Sequence, residues 1–297
     1  LSSPKHFINL KEFDAETLKE ILVQAHFLKA EKYNPRQIFR GLTLAMLFDK
    51  LSTRTRMSFE VAMKQLGGHS IVLSKNDMQL GGAESIESTG KVMSRYVDAI
   101  MVRMSDHKKL EELAEHADVP VINGMTDISH PCQIMADLMT IEEKLGAIKG
   151  KKVAWFGDYN NVTMSFVDAA EKFDFEFIAA FPEEICEKAT KDGVNCTSDT
   201  ALAADQADVL VTDTWVSMGQ DGKEIEKFWP YQVNEDLMGK AKETGIFMHC
   251  LPIHEWEEVT ENVAKSPQSV IYDEAENRLH AQKAILAYCL ADAGVKV

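Results

Sequence analysis

The chain has 297 residues, 45% of them hydrophobic and 27% charged, and its 32 basic and 47 acidic side chains give a net charge of −15. That length exceeds what one ordinary core serves and fits two domains, and the composition is that of a folded protein rather than a disordered one. The acidic balance excludes nucleic acid and anionic membrane as principal partners, because a phosphate polymer would be repelled over most of the surface.

Residues 1–10 lack the apolar core of a secretory signal. No stretch approaches the roughly 20 apolar residues of a membrane-spanning helix. Asp14 to Lys29 reads as a helix, with Asp14 as N-cap and Leu18, Ile21, Leu22 and Ala25 as its apolar stripe. Strand and helix patterns then alternate. Leu42 to Phe48 is a strand, Arg56 to Leu66 a helix, His69 to Leu73 a strand, and Ser85 to Ser94 a helix. Ala99 to Val102 and Val119 to Asn123 are strands around a helix from Leu110 to His116, and a long helix follows from Gln133 to Leu145.

At Gly150 the pattern restarts with a strand from Lys151 to Phe156, a helix from Val162 to Phe173 and a strand from Phe177 to Phe181. Strands over Ala207 to Thr212 and Ile246 to His249 follow, and a last helix runs from Asn277 to Asp292. Strands separated by helices imply an α/β protein of two domains, each a parallel β-sheet flanked by helices. The junction is expected in or just after the helix that starts at Gln133. The five cysteines (Cys132, Cys186, Cys196, Cys250, Cys289) are scattered, odd in number and without a CxxC pair. They read as the reduced thiols of a cytoplasmic protein, not as a disulfide framework or a metal site.

Ligands of open parallel sheets bind at the carboxyl ends of the strands, and the unusual residues fall there. Ser52-Thr53-Arg54-Thr55-Arg56 stands at a strand–helix turn. Free backbone N–H groups, three hydroxyls and two arginines in five residues suit a phosphate better than they suit a plain N-cap followed by solvated arginines. Arg103 ends a strand, and His130-Pro131-Cys132-Gln133 opens a helix with His130 and Gln133 three apart.

In the second half, Gly157-Asp158-Tyr159-Asn160-Asn161 has one glycine where a dinucleotide fingerprint needs three, and the chain holds no GxxxxGK[ST]. Nucleotides are therefore disfavoured, while the two asparagine amides suit a small polar ligand. Asp213-Thr214-Trp215-Val216-Ser217-Met218-Gly219 follows a strand, and an acidic residue at a strand end can take a ligand ammonium. His249-Cys250-Leu251-Pro252 follows another strand, where a lone Cys is more often an inert buried thiol than a thiolate. Glu276-Asn277-Arg278 opens the last predicted helix, a place where an arginine opposes the helix dipole and so hints at an anion.

In this order, from Phe48 to Arg278, the segments STRTR, HPCQ, DTWVSMG, HCLP and ENR resemble the aspartate/ornithine carbamoyltransferase family, and the DTWVSMG segment directs the resemblance to ornithine as acceptor. The resemblance implies transfer of the carbamoyl group from carbamoyl phosphate to the side-chain amine of L-ornithine, without metal or organic cofactor. It implies a carbamoyl-phosphate domain over 1–148, joined by the final helix 277–297, and an ornithine domain over 149–276, in a homotrimer with active sites at subunit interfaces.

Carried over by position, Ser52, Thr53, Arg54, Thr55, Gln79, Arg103, His130, Gln133, Cys250, Leu251 and Arg278 would hold carbamoyl phosphate. Gln79 belongs to a closing loop that serves its own or a neighbouring subunit's site. Asn161, Asp213, Ser217 and Met218 would hold ornithine. Arg103, His130 and Cys250 would carry the chemistry, with the proton going to Cys250 or to the leaving phosphate. The resemblance also implies a cis peptide before Pro252. Tyr159 and Ile253 depart from the family pattern without removing any of these residues. Putrescine or acetylornithine in place of ornithine, a nicotinamide-dependent dehydrogenase, and a non-catalytic phosphate-binding protein are the competing readings.

Overall fold

The computed structural model describes residues 4–50, 52–77, 84–216, 224–254 and 256–291. The chain divides into two compact units, Leu1–Ala136 with Asn277–Val297, and Asp137–Glu276. In the first unit, α1 (Ala15–Ala30) starts where the Asp14 side chain accepts the Thr17 N–H, and it buries Leu18, Ile21, Leu22, Ala25 and Leu28. β1 (Thr43–Phe48), α2 (Thr53–Gln65), β2 (His69–Ser74), α3 (Ile86–Met93), β3 (Ala99–Arg103), α4 (His107–His116), β4 (Val121–Met125) and the beginning of α5 (Pro131–Leu145) follow.

The four strands pair in parallel in the order β2-β1-β3-β4. Strands β1 and β3 are buried almost throughout and apolar except for Thr43 at the start of β1 and Arg103 at the end of β3, as a sheet covered on both faces requires. One core layer joins Ala45, Leu47, Ile100, Val102 and Val121 to Ile86, Leu110 and Leu113 of the covering helices. The chain runs outward from β1 in both directions, so the loops after β1 and β3 leave to opposite faces. The register sets Phe48 beside Arg103 at this switch point.

The second unit holds the rest of α5, then β5 (Lys152–Phe156), α6 (Asn161–Phe173), β6 (Glu176–Ala180), α7 (Glu183–Lys191), β7 (Cys196–Thr197), α8 (Thr200–Ala204), β8 (Val209–Thr212), α9 (Glu235–Met238), β9 (Ile246–His249), α10 (Glu261–Ala264) and the start of α11 (Ile271–Cys289). Its five-stranded parallel sheet has the doubly wound order β7-β6-β5-β8-β9. The switch point lies between β5 and β8, where Phe156 pairs with Thr212. Gly157 follows at φ +120°, and a Cβ there would meet the buried Trp215 indole at 3.0 Å. Close packing against an indole, rather than approach to a phosphate, is therefore what requires this glycine.

The first division between the units falls inside α5, between Ala136 and Asp137. Two expectations change. The last helix begins at Ile271, not Asn277; Asp273 and Glu274 occupy its first turn, as the helix dipole favours. Arg278 thus sits two turns inside the helix, and the argument from a destabilised helix end does not hold for it. Finally, Cys186 and Cys196 form a disulfide, with Cα atoms 5.8 Å apart, so these two are not reduced thiols. Their ten-residue separation gave no pairing signal, because the geometry is made by α7 folding back to β7. Titration of the denatured, unreduced protein with a thiol reagent is expected to find the three free cysteines Cys132, Cys250 and Cys289; five would remove the bridge.

Candidate active site

At the first unit's switch point, Ser52 caps α2 by accepting the Thr55 N–H at 3.3 Å. This starts the helix at Thr53, earlier than Arg56, and puts Thr53, Arg54 and Thr55 in its positive first turn. Thr55 is 1% exposed, and its hydroxyl receives Arg103 Nη1 at 3.2 Å and Arg278 Nη2 at 3.1 Å. Arg278 Nη1 donates to Gln133 Oε1 at 2.6 Å. Strand β3 and helices α2, α5 and α11 thereby bring four of the expected residues onto one polar cluster.

His130 is buried beside it. Burial, with the positive charges of Arg278, Arg103 and Arg54, holds its imidazole well below the usual histidine range. The ring is neutral at working pH and can donate one N–H to an uncharged oxygen. Arg54 is exposed, and among the described residues its guanidinium has no hydrogen-bond or ion-pair partner, whereas that of Arg56 is occupied by Glu60 at 3.2 Å. The STRTR segment thus contributes one available guanidinium fork rather than two. Three guanidinium groups near a neutral histidine make a local cationic site within a chain of net charge −15. Such a site suits a small phosphate compound.

The second unit's switch point is anionic. Asp213 Oδ2 accepts from Asn160 Nδ2 at 3.0 Å, and its Oδ1 accepts from Thr214 N at 2.8 Å and Cys250 Sγ at 3.2 Å. Asn160 also caps α6, accepting Val162 and Thr163 N–H at 3.0 and 3.1 Å. Asn161, expected at the ornithine head group, is the first residue of α6, directly after the Asn160 that bonds Asp213. Gln79, Ser217 and Met218 lie outside the described residues.

Cys250 does not fit the role of proton acceptor. Burial and the Asp213 carboxylate, with Glu274 and Asp137, push its thiol well above the ordinary cysteine range, so it stands as a donor to Asp213. The cis Leu251-Pro252 peptide is present, and Leu251 has φ +60°. This turn is held by groups not singled out from the sequence. Leu251 N–H donates to His249 Nδ1 at 2.8 Å, which leaves the ring hydrogen on Nε2 to donate to Glu258 Oε1 at 3.0 Å. Glu258 also accepts His254 N–H at 2.8 Å, and Glu274 accepts His249 N–H at 2.8 Å. The periodicity marked only the flanking strand. The signal available was a pair of glutamates in a segment with a buried histidine.

Asp213, His249 and Cys250 bring possible metal ligand atoms within 4.8 Å of one another, as do His254, Glu257 and Glu258. Both His249 nitrogens are engaged, however, so the first set offers one carboxylate and one thiol. Among the described residues, no helix is long and apolar enough to cross a membrane.

Two parallel α/β units, one with clustered guanidinium groups and one with a carboxylate at its switch point, have the makings of a transferase with a small anionic and a small cationic substrate. Comparison with known proteins makes this specific. The pattern of the carbamoyl-P binding domain of aspartate/ornithine carbamoyltransferases matches residues 5–143, and that of their Asp/Orn binding domain matches residues 149–289. The chain belongs to the aspartate/ornithine carbamoyltransferase family. It is 53% identical to an ornithine carbamoyltransferase of Brucella abortus over 98% of this chain and 97% of that one, and 51% identical to one of Agrobacterium fabrum over 98% and 99%. The solved ornithine carbamoyltransferase of Pyrococcus furiosus matches with a TM-score of 0.89 at 47% identity, over 96% of each chain.

Proposed function

We infer that the chain transfers the carbamoyl group of carbamoyl phosphate to the side-chain amine of L-ornithine, giving L-citrulline and phosphate. The observation that carries the reading is the opposite charge of the two switch points: guanidinium groups around neutral His130 in one unit, and the Asp213 carboxylate in the other. The first suits an acyl phosphate, the second an α-ammonium.

In this reading Ser52, Thr53, Arg54, Thr55 and Arg278 hold the phosphate, while Arg103, His130 and Gln133 hold the carbamoyl group. Asp213 and Asn161 hold the ornithine head group. The side-chain amine attacks as the free base, although its ordinary pKa is near lysine's, ~10.4; desolvation in the complex lowers it. Its lone pair forms the new C–N bond, and negative charge collects on the carbonyl oxygen. The Thr55 hydroxyl, Arg103 and the His130 N–H stabilise that charge as an oxyanion hole does. The C–O bond to phosphate then breaks, with Arg54 and Arg278 neutralising the departing dianion. The raised thiol of Cys250 leaves the departing phosphate as the acceptor of the amine's proton. Positioning and electrostatics supply the catalysis.

A homotrimeric assembly, a cytoplasmic location and a place in arginine biosynthesis complete the proposal. Purified protein given carbamoyl phosphate with ornithine, putrescine, acetylornithine or aspartate in parallel is expected to form citrulline in the ornithine reaction and little product elsewhere. Faster turnover of putrescine or acetylornithine would move the assignment to that amine.

A further inference from the structure

The turn that carries His130 is held from its far side by a second histidine. His107, the first residue of α4, is buried at 6% exposure. Its Nε2 lies 3.0 Å from Asn9 Nδ2, and its Nδ1 lies 2.8 Å from Thr126 Oγ1. The Asn9 amide nitrogen faces the Glu12 carboxylate as well, at 3.3 Å, and can only donate. With the Asn9 amide donating at this closer distance, Nε2 is assigned as the acceptor and the ring hydrogen to Nδ1, directed at the Thr126 hydroxyl, while Glu111 Oε1 stands 3.5 Å from Nε2. Burial lowers the His107 pKa, against the pull of Glu111 and Asp106 and together with Lys11, in keeping with a neutral ring.

Thr126 passes this constraint along. Its hydroxyl accepts Ser129 N–H at 3.2 Å and Ile128 N–H at 3.4 Å, and lies 3.5 Å from the Ser129 carbonyl. Thr126 N–H donates to that carbonyl at 2.9 Å, and Asn123 Nδ2 approaches it at 3.4 Å. The Ser129 carbonyl belongs to the peptide bond that enters His130. Asn9, His107, Asn123, Thr126 and Ser129 are all buried, and buried polar networks of this kind fix a single local geometry.

We propose that His107 is a positioning residue for the transfer reaction: through Thr126 it holds the Thr126–Ser129 turn in the form that aims His130 at the carbamoyl oxygen. The proposal rests on the reading of His130 given above. It assigns His107 no contact with substrate, so its loss acts on geometry. A misaimed imidazole fails the developing oxyanion more than it fails the ground-state acyl phosphate, and the rate should suffer more than the binding.

The experiment measures kcat, KM for carbamoyl phosphate and thermal melting for His107→Ala, His107→Asn, Thr126→Val, His130→Ala and the double variant His107→Ala/His130→Ala. His107→Ala and Thr126→Val are expected to lose about tenfold in kcat per folded enzyme while KM stays within about threefold. His107→Asn, whose amide nitrogen replaces Nδ1, should recover most of that loss. The double variant should be little slower than His130→Ala alone, because both act through one group. Wild-type kcat in His107→Ala and Thr126→Val, no recovery in His107→Asn, or additive losses in the double variant would overturn the proposal and leave a stabilising role alone. If His130→Ala is slow and His107→Ala is not, only this inference falls; if His130→Ala itself keeps wild-type kcat, the reading of His130 falls first.

Discussion

Arg54→Ala is expected to lower kcat/KM for carbamoyl phosphate by roughly two to three orders of magnitude, the loss typical of one preorganised transition-state donor. The guanidinium is exposed in the first turn of α2 and unpartnered among the described residues, so no fold-stabilising contact goes with it. The melting temperature should therefore stay close to wild type. Arg54→Lys tests the geometry rather than the charge. An ammonium keeps the positive charge but cannot grip two phosphate oxygens in one plane, and the lysine variant should recover only a small part of the loss. Arg56→Ala, two residues on and engaged with Glu60, should be nearly silent in kinetics. Steady-state rates and phosphate-release traces on the three variants decide the matter: near-wild-type kinetics for Arg54→Ala would remove this arginine from the site.

The contrast between Arg54 and Arg56 shows what the sequence carries and what only folding supplies. Apolar runs separated by helical patterns exposed both sheets, since the buried interiors of parallel strands such as Leu44–Phe48 and Ala99–Val102 are continuously apolar. The polar clusters stood out because they follow those strands directly, where the topology places ligands. Other features depend on the phase of a helix or on distant pairing. Asn160 and Asn161 are indistinguishable in the sequence until the start of α6 makes one the cap and the other the first helical residue. Arg278 was assigned to a helix end because the last helix was read as starting at Asn277, yet it starts at Ile271 with Asp273 and Glu274 in its first turn. Cys250 looked like a candidate thiolate until Asp213, 37 residues away, proved to accept its hydrogen bond. Beyond the adjacent glutamates, nothing local linked Glu258 to His249, because their partnership is made across a turn with a cis peptide.

Asp213→Asn is expected to raise KM for ornithine by about ten- to a hundredfold, from the loss of a charged hydrogen bond worth about 1.5–3 kcal/mol. Ornithine's α-ammonium and α-carboxylate do not react; binding them aims the distal amine. Asparagine keeps the shape of aspartate but removes the charge and introduces a donor. On the Oδ2 side that new N–H₂ would face Asn160 Nδ2, now 3.0 Å from the carboxylate. Asn160 cannot turn its oxygen to meet it, because that oxygen accepts the Val162 and Thr163 N–H groups at the start of α6. The damage should therefore reach the head-group pocket without reaching the first unit's cationic cluster. Calorimetric titration of carbamoyl phosphate in the absence of ornithine should give an affinity close to wild type. Discrimination against putrescine, which lacks the α-amino-acid head group, should shrink in the same variant. A control melt separates this from unfolding, since α6 keeps its cap. If Asp213→Asn lost carbamoyl-phosphate affinity as severely as ornithine affinity, Asp213 would not be a residue of the acceptor's head group, and the division of substrates between the two switch points would be wrong.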